Sequence, residues 1–167
     1  MQTIYSAKFI QDSCAFYSEE KGKLEKYLKD RKEISYLDIL NSEISLKDKY
    51  WFFCEKIFTK EQNQRISVIV AEIVLPIYEE KYPDNKTPRE AIEAAKLYAK
   101  KEITSEQLSI KRCAAYDAAY NADVDGAYYA AASAAYYAAA DAYYAAADDD
   151  SYIKKLEKAL MDFIESN

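Results

Sequence analysis

Apolar residues recur at helical spacing in the middle of the chain, on either side of Thr59. Ser45 and Asp48 have the spacing of a helix N-cap and its capping partner, and Thr59 and Gln62 repeat that spacing. The first cap precedes the apolar run Tyr50, Trp51, Phe52, Phe53, Ile57 and Phe58. The second precedes a segment that is apolar on nearly all sides. The pattern predicts two core helices, although the β-branched run 66–74 would also suit a buried strand.

Two prolines mark the breaks that follow. Pro76 should kink the second core helix or interrupt its hydrogen bonding, because proline has no N–H to bond the carbonyl of Glu72. After a loop, Thr87 and Pro88 have the order of an N-cap and a first helical residue. The inner stripe of this third helix is predicted at Ala91, Ala94, Ala95, Tyr98 and Ala99.

An Ala/Tyr/Asp repeat occupies residues 113–150, with 18 Ala, 8 Tyr, 7 Asp and no Lys or Arg. A helix that begins at Thr104 or Ser105 should end at the turn signal 123–126. If it continued to residue 147 it would be about 65 Å long, too long for so small a globule.

The segment 127–147 separates into a tyrosine half and an alanine half when it is drawn as a helix. The alanine half contains Ala127, Ala131, Ala134, Ala135, Ala138, Ala142 and Ala145 beside Asp141. A matching stripe on the preceding helix consists of Leu108, Ala114, Ala115, Ala118, Ala119 and Ala122. The two helices are predicted to pack through these faces as an antiparallel hairpin.

The two ends of the chain differ in pattern. Residues 1–45 are predicted as an N-terminal helical appendage, within which 35–40 suits a helix or an extended segment, and 46–167 as a helical domain. The run Ile153, Leu156, Ala159, Leu160, Phe163 and Ile164 predicts an amphipathic helix that closes the bundle or docks a partner. With only two Gly and three Pro, the chain is predicted to be all-α, a single-domain bundle of about six to eight helices with an Ala/Tyr-rich hairpin.

The net charge of −6 is concentrated in the Ala/Tyr/Asp repeat. An acidic face disfavours contact with nucleic-acid phosphates, and it favours basic partners or simple solubility. The run Asp148, Asp149 and Asp150 suits a solvated helix end better than a metal site, because consecutive helical residues point in different directions. No metal site is predicted.

The residue types that carry most enzyme chemistry are missing. Without histidine the chain has no Ser–His or Cys–His pair, and two glycines cannot form a phosphate-binding loop. Cys14, Cys54 and Cys113 have no metal-ligand spacing. The first nine residues resemble no secretory leader, and no apolar run is long enough to cross a membrane. We therefore expect a cytoplasmic protein that is not an enzyme and needs no cofactor.

The tyrosines of the repeat allow two interpretations. They can pack onto the core helices with their hydroxyls at the edge, or they can form a recognition surface, because tyrosine is enriched in binding hot spots. The candidate partner-binding residues are Tyr128, Tyr129, Tyr136, Tyr137, Tyr143, Tyr144, Asp141 and Asp148.

Three stretches carry a family resemblance: YWFFC at 50–54, IVLPIYEEKYPD at 73–84 and TPREAIEAA at 87–95. Followed by an Ala/Tyr repeat, they resemble the putative immunity proteins, number-five-like, of bacterial polymorphic toxin systems, which are also found in phages and mobile elements. The resemblance covers about residues 46–150. It implies a small inhibitor that binds and blocks a cognate protein, either a toxin or a defence effector.

Three classes of function stay open. A protein inhibitor would expose a Tyr/Asp patch to a basic or amphipathic partner, without contacting nucleic acid or membrane. A phage or mobile-element protein that sequesters a small nucleotide signal would need a closed Tyr-lined pocket with Lys or Arg for the phosphate. A purely structural helical module would need neither feature. The oligomeric state is open in all three.

Overall fold

The computed structural model describes residues 4–6, 26, 31–121 and 150–167, and every structural statement below concerns these residues. They contain two short strands, β1 (Ile4–Ser6) and β2 (Glu33–Ser35), and one turn of π-helix, Phe53–Ile57. The six α-helices are α1 (Tyr36–Leu40), α2 (Leu46–Phe52), α3 (Lys60–Lys81), α4 (Thr87–Ala99), α5 (Ser105–Asn121) and α6 (Asp150–Glu165). The predicted all-α class is confirmed.

The strand pair is the one feature of another class in the described residues. β1 and β2 are antiparallel, with Ile4 opposite Ser35 and Ser6 opposite Glu33. With three residues each, the strands are too short to show the alternation that predicts a strand from sequence. These two strands do not change the class of the fold, which is a helical bundle.

The core helices begin where the capping pairs predict. The Ser45 hydroxyl accepts a hydrogen bond from the Asp48 N–H at 3.1 Å. The Thr59 hydroxyl accepts from the Gln62 N–H at 3.2 Å, and the Gln62 side chain accepts from the Thr59 N–H at 2.8 Å, which completes a reciprocal capping box. α5 starts at Ser105, one of the two predicted positions.

The segment 35–40, which suits either a helix or an extended strand, is a helix. Ser35 is its N-cap, and its hydroxyl accepts from the Asp38 N–H at 3.1 Å. The Asp38 carboxylate accepts in return from the Ser35 N–H at 2.9 Å. This second capping box fixes a helix of only five residues directly after β2.

The predicted N-cap at Thr87 is wrong by one residue. Lys86 is the cap of α4 and makes no side-chain capping bond, and Thr87 is the first helical residue. The reason is Asn85, whose amide oxygen accepts from the Thr87 N–H at 3.1 Å and from its hydroxyl at 2.6 Å. Thr87 thus lies inside the helix, and its side chain bonds Asn85 upstream of it.

The second core helix is continuous. α3 includes the whole β-branched run 66–74, so the strand alternative is wrong, and it continues past Pro76 to Lys81. Pro76 itself is exposed. The helix therefore does not end at the proline, and a bend there stays a prediction.

Large apolar side chains of α2, the π-turn, α3 and α6 form the core. Those with 1% or less of their surface exposed include Phe52, Phe53, Ile66, Val70, Val74, Tyr78, Leu156 and Leu160. The Tyr50 hydroxyl donates to the Leu156 carbonyl at 2.7 Å, which joins α2 to α6 across 106 positions of sequence. Phe163 of α6 stacks edge-on against Phe58 with ring centres 5.2 Å apart. α6 therefore closes the core, as its apolar spacing predicts.

Residues on both sides of the predicted domain boundary contribute to this core. Ile34, Ile39 and Ile44 precede residue 46 and are buried in the same cluster. The division of the chain into 1–45 and 46–167 stays a prediction.

α4 and α5 pack against each other through small residues. Ala91 and Ala115 are fully buried, and this helix pair makes the most extensive helix–helix contact among the described elements. Of the predicted inner stripe, Ala91 and Ala94 are buried, Ala95 and Tyr98 are half-buried, and Ala99 is exposed. The predicted hairpin partner of α5, segment 127–147, lies outside the described residues.

The turn between α4 and α5 is a Schellman motif. The Lys101 N–H bonds the Tyr98 carbonyl and the Glu102 N–H bonds the Leu97 carbonyl, both at 2.9 Å. Lys101 has a φ of 62°, in the left-handed region that such turns require and that glycine usually occupies. The bonds of the motif hold a lysine in a conformation that its side chain disfavours.

Candidate functional site

The predicted partner-binding surface lies outside the described residues. It comprises Tyr128, Tyr129, Tyr136, Tyr137, Asp141, Tyr143, Tyr144 and Asp148. Their role in recognition stays a prediction. The described residues contain a second candidate surface on the two helices that precede this segment.

This second surface is an open groove of about 580 Å³ between α4 and α5, which we call the α4–α5 groove. Its apolar lining consists of Ala94 and Leu97 from α4, Ile103 from the turn, and Ile110 from α5. Its polar lining consists of Lys86, Arg89, Glu90, Glu93, Gln107 and Lys111.

Helical periodicity brings these residues to one side of the helix pair. Lys86, Glu90, Glu93 and Leu97 follow one another at intervals of three or four, so they lie on one face of α4. The Schellman turn reverses the chain after that face, and the first turns of α5 then run back along it. The groove therefore follows from the register of two neighbouring helices.

Two aliphatic side chains of the groove are unusually exposed. Ile110 has 64% of its surface exposed and Leu97 has 37%. The third large aliphatic residue with comparable exposure in the described part of the chain is Leu37 of α1, at 41%. Single exposed aliphatic residues are ordinary, but two that line one groove form a patch of the kind that marks interaction sites.

Most charged groups around the groove are bound to one another. Arg89 donates to Glu79 of α3 through two nitrogens, and Nε lies 2.7 Å from Oε1. Lys111 of α5 pairs with Glu90 of α4 at 2.8 Å. Lys96 pairs with Glu93 at 2.8 Å and with Glu72 of α3 at 2.6 Å.

These contacts change the proton affinities of the paired groups. The hydrogen bond from Arg89 lowers the pKa of the Glu79 carboxyl, against a smaller opposing effect of burial. Hydrogen bonds to Glu72 and Glu93 raise the pKa of the Lys96 ammonium. Glu79 and Lys96 therefore stay charged at neutral pH, and the Arg89–Glu79 and Lys96–Glu72 pairs join α4 to α3.

The groove is suited to binding rather than to reaction. Within residues 4–6, 26, 31–121 and 150–167 there is no group of three or more His, Cys, Asp or Glu residues that could hold a metal ion. The lining of the groove combines apolar side chains with ion-paired charged residues, as protein-binding surfaces do. No helix among those described combines the length and the apolar character needed to span a membrane.

The sequence pattern does not predict the groove, because the predicted alanine stripe marks a different face of α5. That stripe places Leu108 toward the neighbouring helix, and Ile110, two residues later, lies about 200° around α5 from it. The available signal is Ile110 itself, an aliphatic residue that lies away from the predicted alanine stripe.

Family comparison agrees with the resemblance carried by the sequence motifs. A family model described as Imm-5 like putative immunity protein matches residues 59–147, more than half of the chain. The matched region begins at the cap of α3 and includes α4, α5 and the groove between them. No curated protein and no solved structure matches the chain.

Proposed function

Because this chain belongs to the Imm-5 like putative immunity protein family, we propose that it is a non-enzymatic inhibitor that binds and neutralises a cognate protein in the cytoplasm. The cognate protein is a toxin or a defence effector. Family membership supports the binding of a partner protein, and the identity of that partner is part of the proposal.

One observation of the structure carries the proposal: Leu97 and Ile110 are both exposed and both line the α4–α5 groove, inside the region that the family model matches. Exposed apolar surface is costly in water, and covering it with a partner recovers that free energy. Leu97 and Ile110 do not belong to the buried core cluster, to which α4 contributes Ile92, so the groove can engage a partner without rearrangement of the core.

The Ala/Tyr/Asp repeat is proposed as the second contact region. Its candidate residues are Tyr128, Tyr129, Tyr136, Tyr137, Asp141, Tyr143, Tyr144 and Asp148. They combine large aromatic rings with negative charge, which suits a basic partner surface. These residues follow α5 in sequence, so one partner could contact both regions.

The nucleotide-binding alternative gains no support from the groove. Of the three cations that line the groove, Arg89 and Lys111 are paired with Glu79 and Glu90, which leaves Lys86 alone to bind a phosphate. The groove is also open, and tyrosine is not among its described lining residues. A purely structural helical module does not account for the exposure of Ile110.

Affinity purification from the native host or an infected cell tests the proposal. The wild-type chain should recover a basic or amphipathic protein, and Tyr136→Ala/Tyr137→Ala should recover at least tenfold less, because two aromatic contacts are removed. Tyr136→Phe/Tyr137→Phe, which keeps both rings, is the matched control. If the folded wild-type chain recovers no protein, the inhibitor proposal is wrong.

A further inference from the structure

We propose that the α4–α5 groove receives one amphipathic helix of the partner protein, which places aliphatic side chains on Leu97, Ile103 and Ile110 and a carboxylate beside Lys86. This inference rests on the proposed function and adds the binding mode and the chemistry of the partner. It concerns the described residues alone and is independent of the tyrosines of the repeat.

The dimensions of the groove indicate a helix. From Lys86 to Leu97 the lining face of α4 runs eleven positions, about 16 Å or three helical turns. A partner helix of that length presents three apolar residues at spacing i, i+3 or i+4, and i+7 on one side. The channel between two packed helices is the surface into which such a ridge fits.

The charged residues of the groove indicate which sign of charge the partner helix carries at one end. Of the five charged residues that line the groove, four are in ion pairs within the chain: Arg89, Glu90, Glu93 and Lys111. Among the described residues Lys86 is the one lining charge without an ion pair. A carboxylate of the partner can pair with Lys86 directly, whereas a partner cation would have to break an existing pair.

The backbone of α4 adds to the positive field at the same end. Lys86 caps the N-terminus of a 13-residue helix and contributes no side-chain capping bond there. The N-terminus of a helix carries partial positive charge and favours a nearby anion. The side chain and the helix thus favour the same sign, so the partner carries an acidic residue within about one turn of its apolar ridge.

A photo-crosslinking experiment tests this geometry with the full-length chain. The probe is p-benzoylphenylalanine at position 110, expressed in the native host, and the matched control has the same probe at position 37, an exposed aliphatic site on α1. We expect position 110 to crosslink a partner segment with apolar residues at i, i+3 or i+4, and i+7 and an Asp or Glu one turn away. Position 37 should not crosslink that segment.

A pair of charge reversals tests the carboxylate contact. Lys86→Glu should reduce the crosslink at position 110 at least tenfold, and Lys86→Gln should reduce it less. Lys100→Glu, which makes the same charge change at the other end of α4 outside the groove lining, should leave it unchanged. Lys86 and Ile110 are both exposed, so these variants should keep the wild-type denaturation midpoint.

The outcomes separate the two proposals. If a partner co-purifies but position 110 crosslinks nothing, a second copy of this chain, or a segment without the ridge and the acid, the helix-in-groove inference is wrong and the proposed function stands. Equal effects of Lys86→Glu and Lys100→Glu also overturn it. If no partner co-purifies with the wild-type chain, both proposals are wrong.

Discussion

The core around α3 and the α4–α5 pair are packed with different kinds of side chain. In the core, Phe53 and Leu160 are completely buried among other large residues. In the helix pair, Ala91 and Ala115 are completely buried, and the larger Ile110 lies at the surface. Large buried side chains contribute most of the free energy of folding, whereas alanines allow close approach and contribute little. The difference indicates that the core supplies stability and that the helix pair supplies a surface.

Ion pairs join the two regions. Arg89 of α4 binds Glu79 of α3, and Lys96 of α4 binds Glu72 of α3. These pairs lie at the protein surface, where each contributes less than about 1 kcal/mol. The α4–α5 pair is thus held in place by Ile92 of α4, which is buried in the core cluster, by small buried alanines and by weak polar contacts.

Phe53→Ala should have the largest effect on stability. The Phe53 ring has no exposed surface and lies 5.6 Å, centre to centre, from both Phe52 and Phe58. Its removal should reduce the free energy of unfolding by about 3–5 kcal/mol. Urea denaturation measures the loss, and Phe53→Leu should lose much less because it fills most of the space. A loss below about 1 kcal/mol would show that the core does not dominate stability.

Tyr50→Phe should have the next largest effect. It removes the buried hydrogen bond to the Leu156 carbonyl and should cost about 1–2 kcal/mol in the same assay. Burial raises the pKa of the Tyr50 hydroxyl, which therefore stays a neutral donor. The control is Tyr98→Phe on α4, where the described residues provide no hydrogen-bond partner for the hydroxyl. Equal losses for the two variants would contradict the difference between the regions.

Lys101→Gly should stabilise the molecule by about 0.5–1 kcal/mol, because glycine occupies the left-handed conformation without steric cost. Lys100→Gly is the control. Its φ of −82° is ordinary, so the substitution should be neutral or destabilising. Thermal unfolding of the two variants would decide the matter, and destabilisation by Lys101→Gly would mean that the lysine side chain has a structural role in the turn.

Glu79→Gln should cost about 0.5 kcal/mol at neutral pH, because it weakens the contact with Arg89 between the two regions. The pKa of Glu79 is lowered in the folded state, so its contribution is complete above the ordinary carboxyl pKa of about 4.3 and is lost as the pH falls through the lower folded value. The wild-type and Glu79→Gln curves of stability against pH should therefore converge in acid. The exposed neighbour Glu80 supplies the control, Glu80→Gln, which makes the same change of charge and leaves the contact with Arg89 in place.

The caps and apolar runs of the sequence account for much of the fold. Ser45, Thr59 and Thr104 each combine a hydroxyl with a capping partner three residues later, and these local signals locate the starts of three helices. Thr87 is also a threonine at the start of a helix, but Asn85 lies two positions before it. There the hydroxyl donates to Asn85, and this contact is visible only in the structure.

The sequence pattern does not predict features that depend on contacts between residues far apart in the chain. The short strand pair requires Ile4 and Ser35 to meet across the N-terminal region, and the π-turn Phe53–Ile57 lies between two helices whose apolar runs look continuous. The groove depends on how α4 and α5 are rotated against each other, which places Ile110 outward. Helical spacing defines the faces of each helix but not which face stays uncovered.

The central claim is that the core carries stability while the groove face is left for a partner. One pair of urea denaturation curves tests it most directly. Leu160→Ala and Ile110→Ala each remove three carbon atoms, the first from a fully buried site and the second from one that is 64% exposed. We predict a loss of about 2–5 kcal/mol for Leu160→Ala and a change within about 0.5 kcal/mol for Ile110→Ala. A comparable loss for both variants would contradict the claim.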